Sequence, residues 1–508
     1  MKLLTKAFSH LNSKRYKEID TFIEKPEETQ RLTLASLIGW AAHTEWGKKY
    51  HYDEIKDYAT FAQRVPIQQY DDIKPYVERM LKNEGNLICP SKVKWFAKSS
   101  GTTNDKSKFI PVTEESLRNC HYKGGFDSVL LYLRNNPESE FFSGKGLILG
   151  GSHAPSAYGD SIQVGDLSAV LIENLSPFVN FIRVPNREII LMSEWESKLK
   201  AIVENTIDEN VTNLSGVPSW MLVLIKAVLQ KTGKQYLTDV WPNLEVFFHG
   251  GISFAPYREQ YKSLIPSDRM HYEETYNASE GFFAIQSDLN DPGMLLMPDY
   301  NVFYEFIPME EIENEQPKAI PLWEVETGKN YAMVITTDGG LWRYLIGDTV
   351  KFTSTSPYKI VITGRTKHFI NAFGEELMVA NADKAIAEAC KATGAKVKEY
   401  TAAPLFFLDM GKGRHQWLFE FEKQPQSIDA FTDAFDTALK GVNSDYEAKR
   451  YKDFTLLKPE VNVAREGLFY EWMAQRGKLG GQHKVPRLSN SREYIDKLLE
   501  MNETKQEQ

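Results

Sequence analysis

The chain has few cysteines: Cys89, Cys120 and Cys390 are the only three in 508 residues, far apart and without CxxC spacing. That argues against a disulfide framework and against a cysteine-rich zinc site, and it fits a reducing compartment. Long apolar runs are missing too. No stretch approaches the roughly 20 apolar residues of a membrane span, and Met1 to Tyr16 carries Lys2, Lys6 and Lys14 in place of a sustained apolar core. No signal peptide and no membrane partner are therefore expected, and the predicted location is cytoplasmic. Positive charge is not in excess: the net charge is -9, with both signs interspersed. A nucleic-acid binder of this size is more often basic, so no nucleic-acid partner is expected. Internal repeats and low-complexity tracts are absent. So are the GxxxxGK[ST] spacing of a Walker loop and any Ser-His-Asp or Cys-His signature of a covalent nucleophile.

What is present is an ordinary globular balance of 42% hydrophobic and 25% charged residues. A chain of this length is expected to form two or more domains with a large core and a deep pocket. Its most distinctive stretch is Ser99-Ser100-Gly101-Thr102-Thr103-Asn104-Asp105-Lys106-Ser107-Lys108. Apolar residues on both sides (Val93, Trp95, Phe96, then Phe109, Ile110, Val112) predict two strands flanking this polar loop. Glycine, hydroxyls and amide N–H groups can line an anion nest, and Lys106 and Lys108 bring positive charge to it. The same composition also suits a plain hydroxyl-rich turn.

Residues 1 to about 90 read as helical, with Pro26-Glu27-Glu28 opening one helix and Asp71 to Leu81 forming another. Thr113-Glu114-Glu115 is a helix start. Leu147-Ile148-Leu149 runs into Gly150-Gly151, and Leu244 to Phe248 runs into His249-Gly250-Gly251. Strands ending in glycines point to α/β architecture with functional loops at strand ends. Thr212 to Pro218 is a further strand and loop, leading into a buried helix. Val302 to Phe306 and Tyr331 to Ile335 alternate as strands of a more antiparallel region. The texture changes near residue 367. Asn381 to Thr393 then reads as a helix, Pro404 to Asp409 and Gln416 to Glu422 as strands, and Ser427 to Gly441 as a helix.

Four further clusters bear chemistry. Tyr276-Asn277-Ala278-Ser279-Glu280-Gly281 puts a carboxylate beside a glycine after the strand-like Met270 to Glu274. Glu280 suits Mg²⁺ shared with phosphate oxygens, or a solvent-facing turn. In Asp338-Gly339-Gly340-Leu341-Trp342-Arg343-Tyr344-Leu345-Ile346-Gly347-Asp348, both Asp338-Gly339-Gly340 and Gly347-Asp348 read as tight turns. Asp348 there can accept ribose hydroxyls or bond its own turn, and Arg343 can pair a substrate carboxylate or form a structural ion pair. Gly364-Arg365-Thr366-Lys367-His368, followed by Phe373-Gly374-Glu375-Glu376, lies where a hinge is expected. Gly480-Gly481-Gln482-His483-Lys484 presents a lysine on a mobile loop or a solvated basic turn.

In this order the five stretches resemble the adenylate-forming superfamily of acyl-activating enzymes and firefly luciferase. Within it, Ser99 to Thr103 with Lys108 and Pro111, Tyr276 to Glu280, and Leu341 to Tyr344 before Gly347-Asp348 look most like the auxin-responsive Gretchen Hagen family of acyl-acid amido synthetases. Nearly the whole chain is covered. Asn104-Asp105 departs from the pattern, standing where many members carry a glycine.

The resemblance implies a large α/β, multi-sheet domain over 1–366 that binds ATP and the acyl acid, and a smaller mobile α+β lid domain over 367–508. It implies that Ser99, Ser100, Gly101, Thr102 and Thr103 cradle the ATP phosphates and that Lys108 neutralises them. Gly250 and Gly251 would lie beside the adenine, with Tyr276 packing near the base. Ser279 would approach the α-phosphate and Glu280 hold Mg²⁺. Asp348 would take the ribose hydroxyls, Arg365 support ribose or phosphate, and Lys484 contact carboxylate and α-phosphate during adenylation. The expected activity is an ATP-dependent ligase joining a small carboxylic acid to an amino acid or other amine, releasing AMP and pyrophosphate. A thioester-forming coenzyme A ligase and a nucleotide-binding protein without turnover are the alternatives. The family's name is no evidence for auxin as substrate.

Overall fold

The structure is a computed structural model. It describes the chain apart from residues 1, 100–107, 152, 155–160, 177–178, 180, 253, 255–256, 313, 315, 367–368, 376, 407–411, 454, 477–484 and 504–508. Pro26 at the first helical position, with Glu27 and Glu28 in the first turn, opens the helix Pro26–Ala41. The helix Tyr70–Met80 buries Tyr70, Ile73, Val77 and Met80 at helical spacing. Thr113 caps the next helix by accepting from the Ser116 amide at 3.0 Å.

The chain divides into two compact units, Met1–Ser99 with Lys108–Thr366, and Lys367–Gln508. In the first, Trp95–Ser99 and Lys108–Val112 pair antiparallel within a four-stranded sheet, with Ser99 opposite Lys108. The second sheet of this unit has 12 strands. Five of them form a parallel run: Arg183–Val184, Lys145–Ile148, Val211–Gly216, Val246–His249 and His271–Ala278. The rest is antiparallel: Gly281–Ile285, Met294–Leu296, Tyr358–Arg365, Tyr344–Thr355, Asn330–Thr337, Val302–Pro308 and Ile320–Pro321. Parallel strands need covered faces, and the helix Pro218–Thr232 supplies one nearly continuous apolar surface. Gly233, at φ +66, ends that helix in a left-handed turn.

The smaller unit has a three-stranded sheet of Lys396–Leu405, Arg414–Lys423 and Glu460–Ala464 and a two-stranded ribbon of Phe369–Ile370 and Leu377–Met378. The helices Val379–Thr393 and Ile428–Val442 pack together, and Trp417, Phe419, Phe431 and Phe435 form the buried centre. The α/β class expected from the sequence is the one observed. Among the described residues no helix is long and apolar enough to cross a membrane.

Three boundaries differ from the sequence reading. Gly347-Asp348 is not a turn: both residues lie inside the strand Tyr344–Thr355, and Gly347 absorbs a kink at φ +96. The strand expected over Met270 to Glu274 runs on to Ala278, so Tyr276 is within it. The strand expected to begin at Pro404 is already under way at Lys396 and ends at Leu405. Residues 407–411 lie outside the described residues.

Candidate functional site

Parallel strands that feed loops at their carboxyl ends create a natural crevice for ligands. Here those ends carry Gly150-Gly151, Gly216, Gly250-Gly251 and Ser279-Glu280. Gly250 is required by a close approach: a Cβ there would lie 2.4 Å from the Thr275 carbonyl oxygen on the neighbouring strand. Gly251 follows at φ +83. Gly250 thus lies against the strand that bears Tyr276, while Gly251 faces Val217. Beyond Ala278 a two-residue turn, Ser279-Glu280, joins the strand to Gly281–Ile285.

Asp348 sits directly opposite Arg365 in the antiparallel register. Its Oδ1 is 2.7 Å from Arg365 Nε. From the other side the Tyr276 hydroxyl donates to Oδ2 at 2.6 Å. Tyr276 itself is buried, with its ring edge-on to Phe283. Glu280 is partly buried, and burial pushes its carboxyl above the ordinary range, while the charges of Lys108 and Arg365 pull it down. Among the described residues its carboxylate has no side-chain hydrogen bond or ion pair. Lys108, at the start of its strand, places Nζ 3.4 Å from the Tyr344 hydroxyl and over the rings of Tyr70 and Tyr344.

The structure therefore gathers Lys108, Tyr276, Glu280, Asp348 and Arg365, with Ser279 in the adjoining turn and Gly250-Gly251 just after the neighbouring strand Val246–His249. Ser99 ends its strand just before the hydroxyl loop. Ser100, Gly101, Thr102, Thr103 and Lys484 lie outside the described residues. Sequence reasoning gave no role to Tyr344, whose burial and position beside Lys108 become visible only in three dimensions. It also missed Lys198. That buried lysine holds the Gly150 and Gly151 carbonyls at 2.6 and 3.0 Å, and burial pushes it down to about 8.

Two carboxylates of this region are structural. Arg343 makes the ion pair foreseen as one of its two readings, with Glu305 at 2.7 Å. Asp338 is buried in the turn before Tyr344. Its Oδ2 accepts from Asn301 and Asn119 at 2.9 and 3.3 Å, while Oδ1 has no partner among the described residues. Burial pushes its carboxyl up to about 6 against the pull of those two bonds, and the charge of Glu115 adds to the rise. The folded state thus holds this proton more tightly than the unfolded chain. The resulting stability is complete below the unfolded value near 4 and is lost as pH rises through about 6. Asp338→Asn removes the cost of ionisation. In urea denaturation its stability relative to the parent should be about 1 kcal/mol more favourable at pH 8 than at pH 5. A difference that does not change between the two pH values would contradict this.

Comparison with known proteins places the chain. The GH3 family N-terminal domain matches residues 15–270, the central domain 295–365 and the C-terminal domain 380–493. The chain belongs to the GH3 family. The resemblance drawn from the five motifs is thereby borne out. Two Arabidopsis thaliana relatives show the range of this GH3 protein's curated kin. It is 23% identical to indole-3-acetic acid-amido synthetase GH3.4, over 94% of the chain and 92% of that protein. It is equally 23% identical to 4-substituted benzoates-glutamate ligase GH3.12, over 95% of the chain and 96% of that protein. Among solved structures, the GH3.15 acyl acid amido synthetase aligns with a TM-score of 0.58 at 19% identity, covering 94% of this chain and 93% of that one. A 2-hydroxyisobutyryl-CoA ligase solved with 2-HIB-AMP and CoA aligns with a TM-score of 0.55 at 13% identity, covering 95% and 92%. The GH3 protein thus has the fold of adenylate-forming enzymes.

Proposed function

We propose that this chain is an ATP-dependent acyl acid amido synthetase. It adenylates a small carboxylic acid and transfers the acyl group to an amine, in the first place an amino acid. The observation that carries the reading is the convergence of the Tyr276–Asp348–Arg365 cluster with Glu280 and Lys108 at the carboxyl end of the parallel strands. The amido synthetases and the amino-acid ligase among its relatives support the choice of acceptor.

In the first half-reaction a carboxylate oxygen of the acid attacks the α-phosphorus of ATP. The bond from that phosphorus to the bridging oxygen breaks, and pyrophosphate leaves. In the second, the neutral amine attacks the acyl carbonyl, the bond to AMP breaks, and the amine's proton is lost. No enzyme nucleophile takes part, so catalysis consists of positioning and charge stabilisation. Asp348 accepts the ribose hydroxyls and Arg365 holds Asp348 in place. Ser99 to Thr103 would bind the phosphates, with Lys108 offsetting their charge and Ser279 approaching the α-phosphate. Lys484 would contact the acid and the α-phosphate during adenylation.

The donor set fits Mg²⁺. Glu280 is a partly buried carboxylate whose charged form is disfavoured by burial, and Mg²⁺ needs only one or two carboxylates besides phosphate oxygens and water. The ion, when bound by Glu280, would neutralise charge on the phosphates.

ATP–pyrophosphate exchange measured against a panel of carboxylic acids finds the acid. The enzyme is then incubated with that acid, ATP, Mg²⁺, pooled amino acids and coenzyme A, and the products are read by mass spectrometry. An amide is expected. An acyl-coenzyme A with no amide would overturn the acceptor, and no acid-dependent exchange with any acid would overturn adenylation.

A further inference from the structure

The resemblance assigns the Tyr276 ring to the neighbourhood of the nucleotide base, but its surroundings point elsewhere. The residue is 4% exposed. Its ring lies edge-on against Phe283 with centroids 4.9 Å apart, so little of it is left to stack on a ligand. The hydroxyl is committed to Asp348 Oδ2 at 2.6 Å. Asp348 Oδ1 faces Arg365 Nε at 2.7 Å. A carboxylate offers about four lone-pair directions. One bond to each oxygen therefore fixes its plane and leaves a further lone pair on each. Burial, reinforced by the charge of Asp348, pushes the Tyr276 hydroxyl far above its ordinary value, so it remains a donor at any working pH. Hydrogen bonds from a hydroxyl to an ionised carboxylate belong to the strong, short class.

We propose that Tyr276 is a positioning residue that acts through Asp348. It orients the carboxylate so that its two remaining lone pairs meet the adjacent ribose hydroxyls of the nucleotide, and it is not a stacking face for the base. The inference rests on the reading of Asp348 as the ribose acceptor. It separates two roles that a conservative substitution distinguishes. A stacking ring survives Tyr276→Phe intact, whereas a positioning hydroxyl is lost completely.

Calorimetric titrations of ATP and of 2′,3′-dideoxy-ATP, in the presence of Mg²⁺, would compare the full-length protein with Tyr276→Phe, Asp348→Ala and the double variant. Circular dichroism would check that each is folded. The parent is expected to bind ATP at least about tenfold more tightly than the dideoxy analogue, since a charge-assisted hydrogen bond is lost with the hydroxyls. Tyr276→Phe is expected to weaken ATP about tenfold and leave the analogue unchanged. The double variant should bind no more weakly than Asp348→Ala alone, as two residues acting on one contact are not additive. Equal weakening of both nucleotides by Tyr276→Phe, or no weakening, would overturn the positioning role. So would additive losses in the double variant, which tests the role through Asp348→Ala even if Tyr276→Phe alone is poorly folded. If Asp348→Ala discriminates between the two nucleotides as the parent does, the ribose reading itself falls. If Asp348→Ala abolishes discrimination while Tyr276→Phe retains it, only the role of Tyr276 falls.

Discussion

Replacing Glu280 with glutamine is expected to slow acid-dependent ATP–pyrophosphate exchange by about 10²–10³-fold, the scale seen when one charge-stabilising group is removed from an active site. The substitution keeps shape and deletes charge. Burial already disfavours the ionised carboxylate at this turn, so the amide should not lower the melting temperature, and a small rise would be consistent. Loss of exchange with stability retained is the signature of a group kept for chemistry at some cost to the fold. The deficit should persist across a Mg²⁺ titration. Exchange at the parental rate in a folded Glu280→Gln protein would remove Glu280 from the mechanism.

The second large effect concerns the fold. Glu305 and Arg343 form a buried ion pair in which the guanidinium Nε and one amino group reach the carboxylate. The other amino group donates to the Ala62 and Val65 carbonyls at 2.8 and 2.7 Å, and the Tyr58 hydroxyl adds a bond to Glu305 at 3.0 Å. Arg343 also takes a left-handed backbone conformation, φ +45, which a non-glycine residue adopts only when its surroundings demand it. Glu305→Ala leaves the cation buried and unpaired. The expected loss is about 3–5 kcal/mol, because the desolvation already incurred is no longer offset by the partner. Urea denaturation followed by tryptophan fluorescence measures it. A loss below about 1 kcal/mol, the level of an exposed pair, would mean that Arg343 relaxes out to water.

The strands flanking the hydroxyl loop and the helix opened by Pro26 were legible because each rests on local chemistry: alternation and capping. The partners of Asp348 were not. Tyr276 is 72 residues away in sequence, and nothing in either segment specifies the strand order that brings them together. Arg365 faces Asp348 through strand register, a property of the pair. Gly-Asp at 347–348 reads as a turn by residue preference, yet a glycine inside a strand can equally mark a kink where another chain or ligand approaches. From sequence the strand His271–Ala278 ends at Glu274, where two charged residues, Glu273 and Glu274, stand before the polar Tyr276 to Glu280 cluster. In the fold Glu273 is buried, and burial pushes its carboxyl well above the ordinary range. Lys396 and Lys398 hid the start of the strand Lys396–Leu405 in the same way, as charged residues on its exposed end. Tyr344 was in view within a quoted motif, but a tyrosine between Arg343 and Leu345 carries no sequence mark of the lysine it will meet.

The strand that ends at Arg365 also limits how the gene can be divided. Arg365 is tied to Asp348, and the next residue, Thr366, donates its amide to the Gly347 carbonyl at 2.8 Å. The last two residues before the second compact unit are thus tied to Asp348 and to the residue just before it. A split placed between Asp348 and Thr366, or a flexible insertion there, would unpick the edge that holds Asp348 even though every proposed ligand contact remained encoded. A split after Thr366 leaves that edge whole. For anyone wishing to express the two halves separately, swap the smaller one between relatives or tether a reporter at the junction, the usable boundary lies just past Thr366.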